Sequence, residues 1–195
     1  MRLIKKSALA AILIAFGVAV NLQMGYPLGP FLFAFGLLGV CAMDANLYTG
    51  RVGFWYQYYK MDTLLVFIWN CLFGGLCGVL LGAANPVLIH LATIKVMDWN
   101  FDAPFFIQSV FCGMIMYICV WMYKYKGMIW GILIGVPVFI CCKFQHSIAN
   151  AITLGVHMAG SDIEWSMVGL VIFAGIGNAV GAIIIDQLMR DKALN

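Results

Sequence analysis

The chain has 195 residues, of which 64% are hydrophobic and 10% charged, with a mean hydropathy of +0.99, whereas soluble domains carry about 25% charged residues. No soluble fold hides that much apolar surface, so the composition excludes a soluble enzyme or carrier and calls for a bilayer. A net charge of +3 needs no nucleic-acid partner to explain it, and the length suits a single domain.

Apolar segments near 5–22, 28–46, 62–84, 104–123, 127–143 and 164–187 predict six transmembrane helices, with weaker apolar stretches at 52–59, 86–97 and 147–159. The opening MRLIKKSALAAILIAFGVAV begins like a secretory signal. However, no A-x-A-like site closes it, and NLQMGYPLGPFLF leads straight into more apolar chain, so it reads as the first span. The second span ends in MDANLYTGRVG and the third carries WNCLFGG, while the fifth ends in KFQHSIANAITLG and the sixth carries GNAVGA. Three spans per half, the middle one interrupted, predict an all-α integral membrane protein. Its six helices would form a 3+3 inverted repeat with broken second and fifth helices, an aquaporin-like architecture. The whole of 1–195 is then one transmembrane domain, with repeats at about 1–85 and about 100–190.

Loop charges orient this arrangement. With the N-terminus inside, one side collects Arg2, Lys5, Lys6, Arg51, Lys60, Lys124, Lys126, Arg190 and Lys192, and the other has Lys95 beside Asp98, Asp102, Asp162 and Glu164. The positive-inside rule therefore places both termini in the cytoplasm of a cell (inner) membrane protein. Trp55, Tyr56, Tyr58, Tyr59, Trp99, Trp121, Tyr123, Tyr125 and Trp165 stand at span ends as interfacial anchors. The seven cysteines lie almost entirely in apolar runs without CxxC spacing, which fits packing rather than disulfides or metal.

A break in a membrane helix frees backbone groups that cannot face lipid and are tolerated only inside protein or along a wet cavity. Repeat symmetry points to breaks at Ala45–Gly50 and His146–Asn150, the first narrowed to Leu47–Gly50. Thr49, Ser147 and Asn150 can bond freed backbone groups and Gly50 permits unusual dihedrals, although the same residues would serve a simple kink cap. Asn70 with Gly74 and Gly75, and Asn178 with Gly181, read as packing residues that hold the loops. Asp44, just before the first loop, is expected to hold it through N–H bonds.

LYTGRV at 47–52, ICVWM at 118–122, PVFICCKFQHSIAN at 137–150 and GIGNAVGA at 175–182, in this order and over most of the chain, resemble the formate/nitrite transporter family. The resemblance implies homopentamers with one pore per protomer, broken second and fifth helices, and a central histidine. Carried over by motif, that histidine is His146, the facing threonine is Thr49, and the second-loop asparagine is Asn150. The implied cargo is a small monovalent weak-acid anion: formate, nitrite, acetate, lactate or hydrosulfide. Gln145 replaces the acidic residue the family usually has before the histidine. At the position read as about Phe101, near the start of the fourth span, the family's common lysine is absent.

An anion at the bilayer centre pays several kcal/mol unless compensated, so a pore supplies cations or removes the charge. Histidine suits the second task because its pKa of about 6.5 moves easily. His146 is therefore the expected proton-linked residue. Lys143, three residues earlier and so on roughly the same helical face, is either a snorkelling lysine or the replacement anion attractor, and Lys95 is a second candidate on the outer side. His90, in a loop-like stretch, and His157 read as interfacial or structural. Two other classes compete: a channel for a neutral solute such as ammonia or urea, and a redox subunit holding haem or metal between histidines. No nucleophile elbow, phosphate loop or HExxH occurs, so neither an enzyme nor a metal or other cofactor is expected.

Overall fold

The computed structural model describes residues 1–58 and 60–190. Tyr59, counted among the aromatic anchors, and Lys192, counted among the basic residues of one side, lie outside the described residues. Among the described residues every regular element is a helix: α1 Arg2–Met24, α2 Leu28–Ala42, α3 Tyr48–Arg51, α4 Lys60–Ala84, α5 Pro86–Met97, α6 Ala103–Lys126, α7 Trp130–Cys141, α8 Ser147–Met158 and α9 Trp165–Arg190. α1, α4, α6 and α9 are long and apolar enough to cross a membrane, and α2, α5 and α7 are shorter apolar helices.

Helix ends follow local chemistry. Asn85 caps α5 by accepting the Val87 N–H at 3.2 Å, and Asp102 caps α6 by accepting that of Phe105 at 2.8 Å, each with a proline in the first turn. Gly127, at φ 64°, ends α6. The stretch around His90, expected as a loop, is helical because Asn85 and Pro86 start a new helix directly after α4.

The long helices pair closely: α1 packs on α2 and α4, α4 on α8, and α6 on α9, while α2 meets α7. Two crossings depend on missing side chains. A Cβ on Gly155 would run into the backbone of Gly75, and one on Gly181 into that of Val110, so α4–α8 and α6–α9 come into backbone contact. Apolar side chains also cover the outside: Leu64, Ile68, Leu72, Leu76 and Leu80 make an exposed stripe along one face of α4. In water such a stripe would be a large penalty, and in lipid it is the natural solvent-facing surface. The chain is an integral membrane protein.

Two of the shorter apolar helices, α2 and α7, stop in the same way. After α2, the Asp44 N–H donates to Cys41 O (3.3 Å) and the Ala45 N–H to Val40 O (2.9 Å); after α7, the Lys143 N–H donates to Ile140 O (3.0 Å) and the Phe144 N–H to Phe139 O (2.9 Å). These are two Schellman motifs, with Asp44 at φ 49° and Lys143 at φ 56° in the left-handed position usually given to glycine. The non-helical stretches are therefore Met43–Leu47 and Cys142–His146, a turn earlier than the sequence placed them. Thr49 and Gly50 lie in α3, and Ser147 and Asn150 in α8.

Candidate functional site

One asparagine secures each break. Asn70, buried in α4, accepts the Tyr48 N–H through Oδ1 (2.8 Å) and donates from Nδ2 to Ser7 O and Asn46 O (both 3.0 Å). Asn178, buried in α9, accepts the Ser147 N–H through Oδ1 (2.9 Å) and donates to Ser109 O and Gln145 O (both 2.8 Å). Each amide thus serves one N–H at a helix restart, one carbonyl of the preceding loop, and one carbonyl of a long helix, α1 or α6. The restart N–H and the loop carbonyl are backbone groups that lipid could not serve.

His146 and Thr49 meet where the breaks converge. His146 Nε2 lies 2.9 Å from Thr49 Oγ1, while Nδ1 accepts the Ala149 N–H at 3.1 Å and so caps α8. Because Nδ1 is an acceptor, the network assigns the imidazole proton to Nε2, which donates to Thr49. The Thr49 hydroxyl hydrogen then remains available to something else. Both residues are 1% exposed. The His146 ring stacks on Phe139 with centroids 5.8 Å apart, and Phe139 meets Phe33 edge to face at 5.8 Å.

Two cavities approach this pair from opposite sides. The one on the N-terminal side, about 270 Å³, is walled by both arms of the first break, including Leu47, Gly50 and Arg51, with Tyr58 and Lys124 opposite. The other, about 470 Å³, has Lys95, Lys143, Gln108, Gln145 and Phe139 in its wall. Neither lining includes His146 or Thr49; Leu47, the residue before α3, lines the first, and Phe139, which stacks on the His146 ring, lines the second.

Some expected roles change with the geometry. Lys143 does not share a helical face with His146, because α7 has already ended; it sits exposed at the left-handed stop and joins Lys95 in the larger cavity. Asp44 bonds no loop N–H; its carboxylate pairs with Lys6 Nζ, tying the first break to α1. Gly50 adopts no left-handed φ and instead leaves room beside Val120. Asn150 Nδ2 donates to Gln145 Oε1 (3.0 Å), and Gln145 Nε2 donates to Gln108 Oε1 (3.1 Å), a neutral amide chain leading to the larger cavity. The Ser147 hydroxyl is buried without a partner in the structure, as is Nε2 of His157, whose Nδ1 lies 2.9 Å from Thr93 Oγ1.

Gln108, Arg51 and Lys124 were not singled out as site residues by the sequence. Arg51 and Lys124 registered only as orienting charges, although Arg51 stands two residues after Thr49. Among the described residues, no three histidine, cysteine, aspartate or glutamate side chains gather where they could share a metal ion.

The fold is similar to that of solved membrane channels. A structure described as an FNT family ion channel matches with a TM-score of 0.78 at 16% identity, covering 97% of this chain and 89% of that one. A pentameric formate channel with formate bound matches with a TM-score of 0.66 at 17% identity, over 98% and 93% of the two chains. No protein-family model matches the sequence, and no curated protein matches it.

Proposed function

We propose that this chain, which has the fold of FNT channels, is a short, divergent member of the formate/nitrite transporter family that passes small monovalent weak-acid anions, linked to protons through His146. On this reading α1, α4, α6 and α9 are whole spans, and α2–α3 and α7–α8 are the broken second and fifth spans of a 3+3 inverted repeat. One domain of two halves, about 1–85 and 100–190, makes one pore, five copies make the assembly, and both termini face the cytoplasm.

The observation that carries the proposal is the sealed His146–Thr49 hydrogen bond between two cavities lined by cations. A bare anion pays heavily to enter such a centre, and a neutral acid does not. Cations gather the anion in either cavity; past Leu47 or Phe139 it meets the free hydrogen of Thr49. An arriving proton binds Nδ1, displacing the Ala149 N–H and loosening the cap of α8, and makes the ring an imidazolium. The ring then gives its Nε2 proton to Thr49 Oγ1 as Thr49 passes its own hydroxyl hydrogen to the anion, which leaves a neutral acid and a neutral imidazole.

Uptake of formate, acetate and hydrosulfide into proteoliposomes at two pH values tests this. The expected result is saturable anion uptake that is faster on the acid side and loses its pH dependence in His146→Asn. Uptake of ammonia or urea without any anion uptake would replace the proposal with a neutral-solute channel.

A further inference from the structure

The cavity on the N-terminal side holds an arginine, Arg51, whose N–H groups find no hydrogen-bond acceptor among the described residues. The Arg51 guanidinium carbon lies 3.9 Å from the Tyr58 ring centroid, a cation–π contact. Among the described residues no hydrogen bond or ion pair reaches that guanidinium, and its Nε is buried without a partner. Asp44 lies in the same wall, but its carboxylate is taken by Lys6, and Asp62 on this side is not within ion-pair reach of Arg51. Lys124 stands at the same ring, with Nζ 5.7 Å from its centroid, and gives a hydrogen to Gln57 Oε1 at 3.0 Å.

Donors left unbonded in a half-buried place are unfavourable unless something occupies them. A guanidinium offers two parallel N–H donors that match the two oxygens of a planar anion, whereas an ammonium acts as a point charge. The opposite cavity supplies lysines, Lys95 and Lys143, and no arginine.

We propose that Arg51 is a specificity-determining residue: it receives planar two-oxygen anions, carboxylate or nitrite, in bidentate fashion against Tyr58, with Lys124 as the second cation, one step before the Thr49–His146 centre. This rests on the reading of the chain as an anion channel. It adds a ranking of cargo that the channel reading alone does not contain: two-oxygen anions ahead of hydrosulfide or chloride, and most strongly for entry from the N-terminal side.

The test compares formate and hydrosulfide flux of the full chain in oriented proteoliposomes, for wild type, Arg51→Lys and Lys124→Gln. Arg51→Lys keeps the charge and loses the fork. It should raise the half-saturating formate concentration about tenfold, the loss of roughly one charge-assisted hydrogen bond, while hydrosulfide changes less than about twofold. Lys124→Gln should weaken both anions alike. An unchanged formate-to-hydrosulfide ratio in Arg51→Lys overturns the proposal and leaves the channel reading intact, whereas a wild type that carries no anion overturns both. Should Arg51→Lys not fold, the wild type still decides: saturating formate should slow phenylglyoxal modification of Arg51, read by peptide mass spectrometry, and chloride should not. Equal modification in the two salts overturns the proposal.

Discussion

At the first break the left-handed position holds an aspartate, Asp44, and the residue before the helix restart is Leu47; at the second the corresponding residues are Lys143 and His146. Around these differences the backbone bonding is nearly superimposable. The same Schellman bonds end each helix, and an asparagine from the last long helix of each half holds each restart. The restarts themselves differ in capping. Leu47 has no side chain to cap α3, which lasts four residues, whereas His146 caps α8, which lasts twelve. The backbone frame recurs at both stops, and the capping histidine stands at one of them. A break in a membrane helix needs its backbone satisfied wherever it lies, while the proton-linked role proposed for His146 calls for one such residue.

The sharpest way to break this comparison is to remove an anchor. Asn70→Ala and Asn178→Ala each remove three hydrogen bonds, a loss of roughly 3 kcal/mol at about 1 kcal/mol per hydrogen bond. Both should lower thermal stability in detergent to a similar degree or prevent folding, and a large difference between them would show that the halves are not equivalent supports. Next come the residues that make the halves unlike. Thr49→Val removes the only side-chain partner of His146 Nε2 among the described residues and should lower weak-acid flux about tenfold, on the scale of one hydrogen bond to a developing charge, with stability changed far less than in the asparagine variants.

Smaller effects separate the two stops. Lys143→Gly relieves a left-handed lysine and should raise stability by up to about 1 kcal/mol. Asp44→Gly gains less, since aspartate tolerates that region better, and gives up the Lys6 pair, so denaturation should show little net change. Lys143→Met should reduce anion flux about twofold at low salt and less at high salt, as expected of an exposed attracting charge. Equal flux at both salt concentrations would remove Lys143 from the anion pathway.

The membrane setting and the neighbourhood of both breaks were legible in the residues, because composition and small-polar interruptions of apolar runs report directly on what lipid forbids. The break boundaries were less so. They depend on a left-handed residue, and neither Asp44 nor Lys143 is the glycine that advertises one. Reading Lys143 and His146 onto one face failed for the same reason: helical spacing holds only while the helix continues. Asn70 and Asn178 stood out as polar residues in apolar spans, but their triple bonding reflects contacts far apart in sequence. Arg51 was visible as a charge and invisible as an unbonded donor, since that property comes from its seat on Tyr58 and from Asp44 being taken by Lys6.

The asparagine anchors also impose an order in time. A chain is made from its N-terminus, so Asn46 and Tyr48 emerge before Asn70, and Gln145 and Ser147 before Asn178. Each interrupted segment must wait, its backbone unserved, until the next long helix arrives beside it. α8 waits for α9 even though its other main partner, α4, is already in place. During synthesis the restart N–H and the loop carbonyl of each break are therefore made before the asparagine that bonds them, and until it arrives water can serve them where lipid cannot.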